Sequence, residues 1–166
     1  QHVSFLFTSL LTDDCIARGK ALLDGGVRYL GGTNETYGNI NTSDSLWVIR
    51  DLVFNQKKYT LRQLNDAMLA NFNGYEALRK DCLNCDKYGN DLETADTMAN
   101  DLYEFVAKGV RNRGIAIGMQ YFLIVISNNQ LNTEWGNRTA ASPDGRLSCM
   151  YMNPANNPQG GANKSG

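Results

Sequence analysis

Residues 41–79 read NTSDSLWVIRDLVFNQKKYTLRQLNDAMLANFNGYEALR. Leu46, Ile49, Leu52 and Val53 recur at the three- and four-residue spacing that lines one face of a helix. Ser43, ahead of them, is a residue type whose side-chain oxygen caps helix N-termini. Thr60 and Gln63 have capping-box spacing, and Leu61, Leu64, Met68 and Leu69 form a further helical stripe behind them. The centre of the chain is therefore predicted to be two successive helices.

On the N-terminal side, 1–11 is an apolar run that suits a strand or a helix entry. Thr12 is placed to cap a helix carrying Asp13 and Asp14 in its first turn, where negative charge suits the dipole. That helix is expected to end at Gly25-Gly26. Residues 30–42, LGGTNETYGNINT, read as a glycine- and asparagine-rich loop. On the C-terminal side, a short helix is expected around 75–84, then a sharp KYGND turn at 87–91. Asn90 and Glu93 have cap spacing for the longest helix, with Leu92, Ala95, Ala99, Leu102, Phe105 and Val106 on one face and an end near Gly109. Residues 115–126 are β-branched and aromatic and read as a buried strand. The remainder, 127–166, reads as loop, rich in Asn, Gly, Ser and Pro. So long a loop argues against a self-contained domain, and the chain reads as a piece of something longer.

Composition narrows the function classes. Hydrophobic residues make up 42%, charged residues 20%, and the net charge is −1. That balance argues against nucleic-acid or membrane-surface binding driven by charge. No apolar run approaches the eighteen residues of a membrane-spanning helix. Four cysteines, at 15, 82, 85 and 149, permit two disulfides, and sequons stand at Asn34, Asn41, Asn137 and Asn163. A secreted, disulfide-bonded glycoprotein is thus one alternative; reduced cysteines in the cytoplasm are the favoured expectation.

The chemistry-bearing motifs are sparse. CLNC at 82–85 is a lone C-x-x-C with no second pair, so it suits two small side chains at a helix end better than a redox or zinc site, and no metal site is expected. His2 is the only histidine, which leaves no Ser–His or Cys–His pair. The glycines of 25–38 match neither a dinucleotide nor a P-loop pattern. Asp13, Asp14, Asp86 and Asp91 are read as caps or solvated charges rather than acid–base groups. SPDGR at 142–146 is a strong turn, with Arg146 free to clamp a carbonyl or carboxylate. The tail 156–166, NNPQGGANKSG, is a second Gly/Pro/Asn loop whose backbone groups need partners.

Taken in order, five segments resemble the glycyl radical enzymes, the pyruvate formate-lyase-like superfamily. They are 10–29 (LLTDDCIARGKALLDGGVRY), 41–79, 87–91 (KYGND), 139–146 (TAASPDGR) and 157–166 (NPQGGANKSG). The resemblance implies an α/β fold: a helix-rich fragment from the second half of a ten-stranded α/β barrel spanning 1–166, with 127–166 as its loop-rich, cavity-facing part. It implies radical cleavage of a C–C, C–O or C–N bond in a small metabolite. The radical is a glycyl radical installed by an S-adenosylmethionine/iron–sulfur activating enzyme. Implied partners are that activating enzyme, a small-molecule substrate, the remainder of the barrel and a second copy in a homodimer, in the cytoplasm.

The family's radical glycine motif, R-V-x-G-Y, is absent from these 166 residues, and its catalytic cysteine is expected upstream of 10–29. None of the four cysteines is therefore assigned a catalytic role. By family position, Asn157, Pro158 and Gln159 are the substrate-cavity candidates, and Asp144, Gly145 and Arg146 the loop-structuring ones. The segments 10–29 and 87–91 look like the dehydratase and lyase branch, whereas Asn157-Pro158 looks like the formate C-acetyltransferase branch. The stretch 147–156, LSCMYMNPAN, departs from the common G-E-P-L-A-D-G pattern and leaves the substrate open. A fold-retaining domain without radical chemistry is the non-catalytic alternative.

Overall fold

A computed structural model of the chain describes residues 5–125 and 131–165. His2 and the 126–130 part of the expected strand and loop lie outside the described residues. The elements run α1 (Leu6–Leu10), α2 (Cys15–Arg18), β1 (Gly31–Glu35), α3 (Asn39–Val48), α4 (Leu61–Leu69), α5 (Glu76–Asn84), α6 (Glu93–Ala116), β2 (Tyr121–Val125) and α7 (Leu131–Asn137). A single 3₁₀ turn covers Leu22–Asp24, and α3 continues as a π-helix over Ile49–Asn55. The strands β1 and β2 pair as a two-stranded sheet. The chain divides into two compact units, one of 1–34 with 108–124, the other of 35–107 with 125–166.

In the first unit the helix expected between Thr12 and Gly25 is replaced by the short α2 and the 3₁₀ turn Leu22–Asp24. Thr12 does not cap: its hydroxyl donates to the Thr8 carbonyl at 2.8 Å, and Asp14 precedes α2 with a left-handed φ of 73°. Gly19, at φ 60°, stops α2 well before Gly25-Gly26 because the Lys20 N–H turns back to the Cys15 carbonyl. Gly26 has no room for a Cβ, which would meet the Ala21 carbonyl and the Cys15 sulfur. Phe5, Leu6, Phe7, Leu10, Leu11 and Ile16 are all more than half exposed. Part of the predicted 30–42 loop is strand β1, because this segment has β2 to pair with, a partner that local sequence does not reveal.

The second unit holds the core. Val48, Leu52, Leu64, Ala67, Phe72, Leu78, Cys82 and Ala141 are buried together, with Ile49, Val53, Met68 and Leu147 packed around them. The Thr60 capping box forms as predicted: the Thr60 hydroxyl accepts from the Gln63 N–H, and Gln63 reaches back to the Thr60 N–H at 2.9 Å. Two other expected caps are elsewhere. Helix α3 starts at Asn39, four residues before Ser43, with Gly38 at φ 68° ahead of it. Ser43 lies inside it and donates to the Ile40 carbonyl. Helix α6 runs through Gly109 to Ala116, because Gly109 is tolerated at helical φ; the chain reverses at Gly118, φ 85°. Ala95 and Ala99 are buried on its inner face, while Phe105 is 77% exposed. The predicted strand over 115–126 is thus helix end, turn and β2. The predicted 127–166 loop contains α7.

Candidate functional site

The buried face of α3 is polar at its N-terminal end. Asn39, Asn41, Ser43, Asp44 and Ser45 are all buried there, whereas Leu46 is 41% exposed. These residue types are poor helix formers and demand partners when buried. Those of Asn39, Asn41 and Ser45 come from the two loops that follow α7, whereas Ser43 donates within its own helix and Asp44 accepts from the Tyr88 N–H.

The first loop is the SPDGR turn. Asp144 is 5% exposed and fully engaged. Its Oδ1 accepts from the Ser142 hydroxyl at 2.5 Å and the Arg146 N–H at 3.3 Å, and its Oδ2 accepts from Asn41 Nδ2 at 2.7 Å. The Asp144 N–H donates to the Ser45 hydroxyl. Gly145, at φ 93°, presses on Leu83 of α5, where a Cβ would be only 2.7 Å from Leu83 Cδ2. Arg146, 4% exposed, spends its guanidinium on the loop itself. Nε donates to Ser142, Nη1 to the Leu147 and Met150 carbonyls, and Nη2 to the Ala140 carbonyl. Burial holds the Arg146 pKa below its usual range.

The second loop is tied to α3 by amides. Asn41 and Asn153 exchange backbone-to-side-chain hydrogen bonds, and Asn41 Nδ2 also donates to Gln159 Oε1 at 3.0 Å. Gln159 Nε2 donates to the Tyr151 carbonyl. Asn153 Nδ2 turns to the Ala155 and Asn157 carbonyls. Asn90 is not a helix cap. Its Nδ2 donates to the Lys87 and Ala162 carbonyls, and its Oδ1 accepts the Lys164 and Ser165 N–H groups, so it holds the tail against the KYGND turn. Gly89 leaves space for Pro158, which a Cβ would overlap.

A cavity of about 240 Å³ opens between these loops and the helices; Asp44, Arg79, Lys87, Asp144, Arg146 and Gln159 form part of its wall. Asp44 Oδ1 accepts from the Tyr88 N–H at 3.0 Å. Its Oδ2 is buried without a partner among the described residues. Desolvation pushes the Asp44 pKa up to about 6, against the pull of the Tyr88 N–H and the Lys87 charge. Lys87 is 6% exposed, and its ammonium donates to the Cys82 carbonyl at 2.5 Å and the Cys85 carbonyl at 3.1 Å. Burial lowers its pKa.

All four cysteines are free. Burial pushes the Cys82 thiol up to about 12 and the Cys85 thiol to about 11, so neither is poised as a thiolate. Neither thiol is on the cavity wall. Asn41, buried and bonded through Nδ2, has no free amide to carry a glycan. That removes one of the four sequons behind the secreted alternative.

Of the positions singled out by sequence, the structure brings Asp144, Gly145, Arg146 and Gln159 to one cavity wall. Asn157 is exposed and Pro158 is half-buried against the Gly89 turn; neither is on that wall. Sequence reasoning missed the site roles of Asn41, Asp44, Lys87, Asn90 and Asn153, reading Asn41 only as a sequon and Asn90 as a helix cap. The signal available for the first two was the NTSDS run itself, dense in side-chain hydrogen-bonding groups where a helix begins.

The pyruvate formate lyase-like family profile matches residues 1–131. The chain is 31% identical, over an alignment of 167 residues that takes in all of it, to the trans-4-hydroxy-L-proline dehydratase of Clostridioides difficile, and covers 21% of that protein. It is 33% identical over 143 residues to the (2S)-3-sulfopropanediol dehydratase of Klebsiella oxytoca, covering 84% of this chain and 17% of that one. Among solved structures, the glycerol-bound B12-independent glycerol dehydratase of Clostridium butyricum superposes with a TM-score of 0.87 at 28% identity, over 99% of this chain and 21% of that one. The hydroxyproline dehydratase of Clostridioides difficile superposes with a TM-score of 0.88 at 30% identity, over 98% and 21%. The chain thus spans about a fifth of the length of the curated relatives it matches. With the ordered motifs, the family profile and these relatives in agreement, the chain belongs to the pyruvate formate lyase-like family of glycyl radical enzymes.

Proposed function

We propose that the protein carrying this chain is a radical dehydratase or lyase that breaks a C–O, C–N or C–C bond in a small metabolite. The observation that carries this reading is similarity over the entire chain to dehydratases, at 31% identity, rather than at one motif. The radical group supplies hydrogen abstraction from substrate. This chain's residues shape the loops around that chemistry: Asp144, Gly145 and Arg146 fix the first loop, Gln159 lies on the cavity wall, and Asn157 and Pro158, which lie off that wall, are the positions proposed to meet substrate once the rest of the barrel is in place. The exposed apolar side chains of α1 and α2 are covered by the remainder of a ten-stranded barrel. An activating enzyme, a homodimer and a cytoplasmic location complete the proposal.

Formate C-acetyltransferase activity is the second reading, favoured by the Asn157-Pro158 dyad. One experiment tests both. The whole protein is activated anaerobically with a competent activating enzyme and examined by EPR, then offered hydroxylated substrates and, with a thiol to accept the acetyl group, pyruvate in turn. A glycine-centred doublet with loss of water or another small leaving group supports the first reading; formate release from pyruvate supports the second. A verified complete chain that gives no doublet overturns both.

A further inference from the structure

We propose that the cavity of about 240 Å³ binds a small carboxylate that also bears an amino or hydroxyl group, the carboxylate on Arg79 and the donor group on Asp44. This goes beyond the proposed reaction and does not depend on radical chemistry.

The charged groups on the cavity wall are Asp44, Arg79, Lys87, Asp144, Arg146 and, exposed at its rim, Lys164. Arg146 is used up: every guanidinium nitrogen already donates within its own loop. Asp144 is used up too, with both oxygens occupied by Ser142, Asn41 and the Arg146 N–H. Gln159 has its oxygen on Asn41 and its nitrogen on Tyr151. Arg79 is different. Only its Nε is engaged, with the Gly145 carbonyl at 2.9 Å, and both terminal nitrogens have no partner among the described residues. That bond fixes the plane of the guanidinium, leaving a two-pronged donor edge that matches a carboxylate.

Lys87 adds to the positive field. Its ammonium has three donors, and two are taken by the Cys82 and Cys85 carbonyls. Against these donors stands an unpaired acceptor. Asp44 is 1% exposed, part of the wall, and its Oδ2 has no partner among the described residues. A buried carboxylate oxygen left unpaired is costly, so it calls for a donor from whatever fills the cavity. A simple anion would satisfy Arg79 and Lys87 but repel Asp44. A simple cation would satisfy Asp44 but face Arg79 and Lys87. A molecule with an anionic end and a donor end satisfies both, and the volume suits a small metabolite of on the order of ten heavy atoms.

The test uses the whole protein, without radical activation, and three probes of similar shape: L-alanine, lactate and propionate. Binding is read by calorimetry or ligand-observed NMR. Alanine and lactate are expected to bind about tenfold or more tightly than propionate, the effect of one charge-assisted hydrogen bond. Asp44→Asn presents an amide N–H₂ to the ligand and is expected to remove alanine's advantage while leaving propionate binding in place. Arg79→Lys keeps the charge but loses the fork, and is expected to weaken all three probes together. Circular dichroism and melting of each variant separate these effects from misfolding. Equal binding of the three probes overturns the proposal. So does absence of binding at millimolar concentration, including the case in which another part of the protein fills the cavity.

Discussion

Asn41 and Asn153 hydrogen-bond each other in both directions across 112 residues of chain: the Asn153 N–H donates to Asn41 Oδ1 at 2.8 Å, and the Asn41 N–H donates to Asn153 Oδ1 at 3.3 Å. The pairing joins the first turns of α3 to the loop after α7. Asn41 then uses Nδ2 to reach Asp144 and Gln159, so one side chain ties both loops to one helix.

Replacing Asn41 tests that role. Asn41→Ala leaves the Asn153 N–H, Asp144 Oδ2 and Gln159 Oε1 each short of a partner in a buried site. A loss of about 2–4 kcal/mol is expected, from removal of several buried hydrogen bonds. Asn41→Asp is expected to cost at least as much, because it sets a second buried carboxylate against Asp144. Urea midpoints measure both, and limited proteolysis of 140–161 reports whether the loops are released. If Asn41→Ala melts like the parent, the tie is not holding the loops.

Asp44 gives a pH signature of definite sign. Its folded pKa of about 6 lies above the usual 3.8, because burial disfavours the charged form more than Lys87 and the Tyr88 N–H favour it, and Asp144 and Asp96 add repulsion. Between those values the folded state holds more protons than the unfolded state, so stability falls as pH rises. The contribution is complete below 3.8 and lost as pH passes about 6. Asp44→Asn removes this titration. The variant is therefore expected to gain on the parent between pH 4 and pH 8, by up to about 3 kcal/mol. Parallel denaturation curves at the two pH values test this, and a pH-independent difference contradicts it.

The apolar half of the second unit was legible because helical spacing reports which residues face a core. Leu52, Leu64 and the Thr60 box follow that logic. The polar half was not, because hydrophobic periodicity is blind to a helix face that buries amides and hydroxyls. It therefore placed the start of α3 at Ser43 and gave Leu46 an inward role it does not have. Asn90 had the spacing of a cap, yet its side chain binds the tail 72–75 residues away, a partner that local sequence cannot supply. SPDGR was readable because its Pro, Asp and Gly each encode local geometry, and Arg146 bonds only within six residues of itself. Strand β1 escaped notice because strand pairing is set by the partner more than by local propensity.

The cysteines should separate by reactivity. Cys149 is exposed, whereas Cys82 is fully buried with its thiol at about 12, and Cys85 is half-buried with its thiol at about 11 beside Asp51. The thiolate is the reactive form, so access and ionisation both place Cys82 behind Cys85, and access places Cys149 ahead of both. Brief alkylation of native protein followed by peptide mass mapping is expected to label Cys149 first and Cys82 last. Labelling of Cys82 at the rate of Cys149 would show that the core around α5 opens freely.

Two threonines that sequence alone reads alike as helix caps should respond differently to the same change. Thr60 accepts from the Gln63 N–H and receives Gln63 in return, so Thr60→Ala removes a complete capping box from α4. A loss of about 1 kcal/mol is expected. Thr12 only returns its hydroxyl to the Thr8 carbonyl on an exposed turn. Thr12→Ala is therefore expected to change stability by less than about 0.5 kcal/mol, the usual range for surface sites. The urea midpoints of the two variants measure the contrast directly. Equal losses would mean that Thr12 caps a helix in solution after all, and that the break between α1 and α2 is not the resting state of this segment.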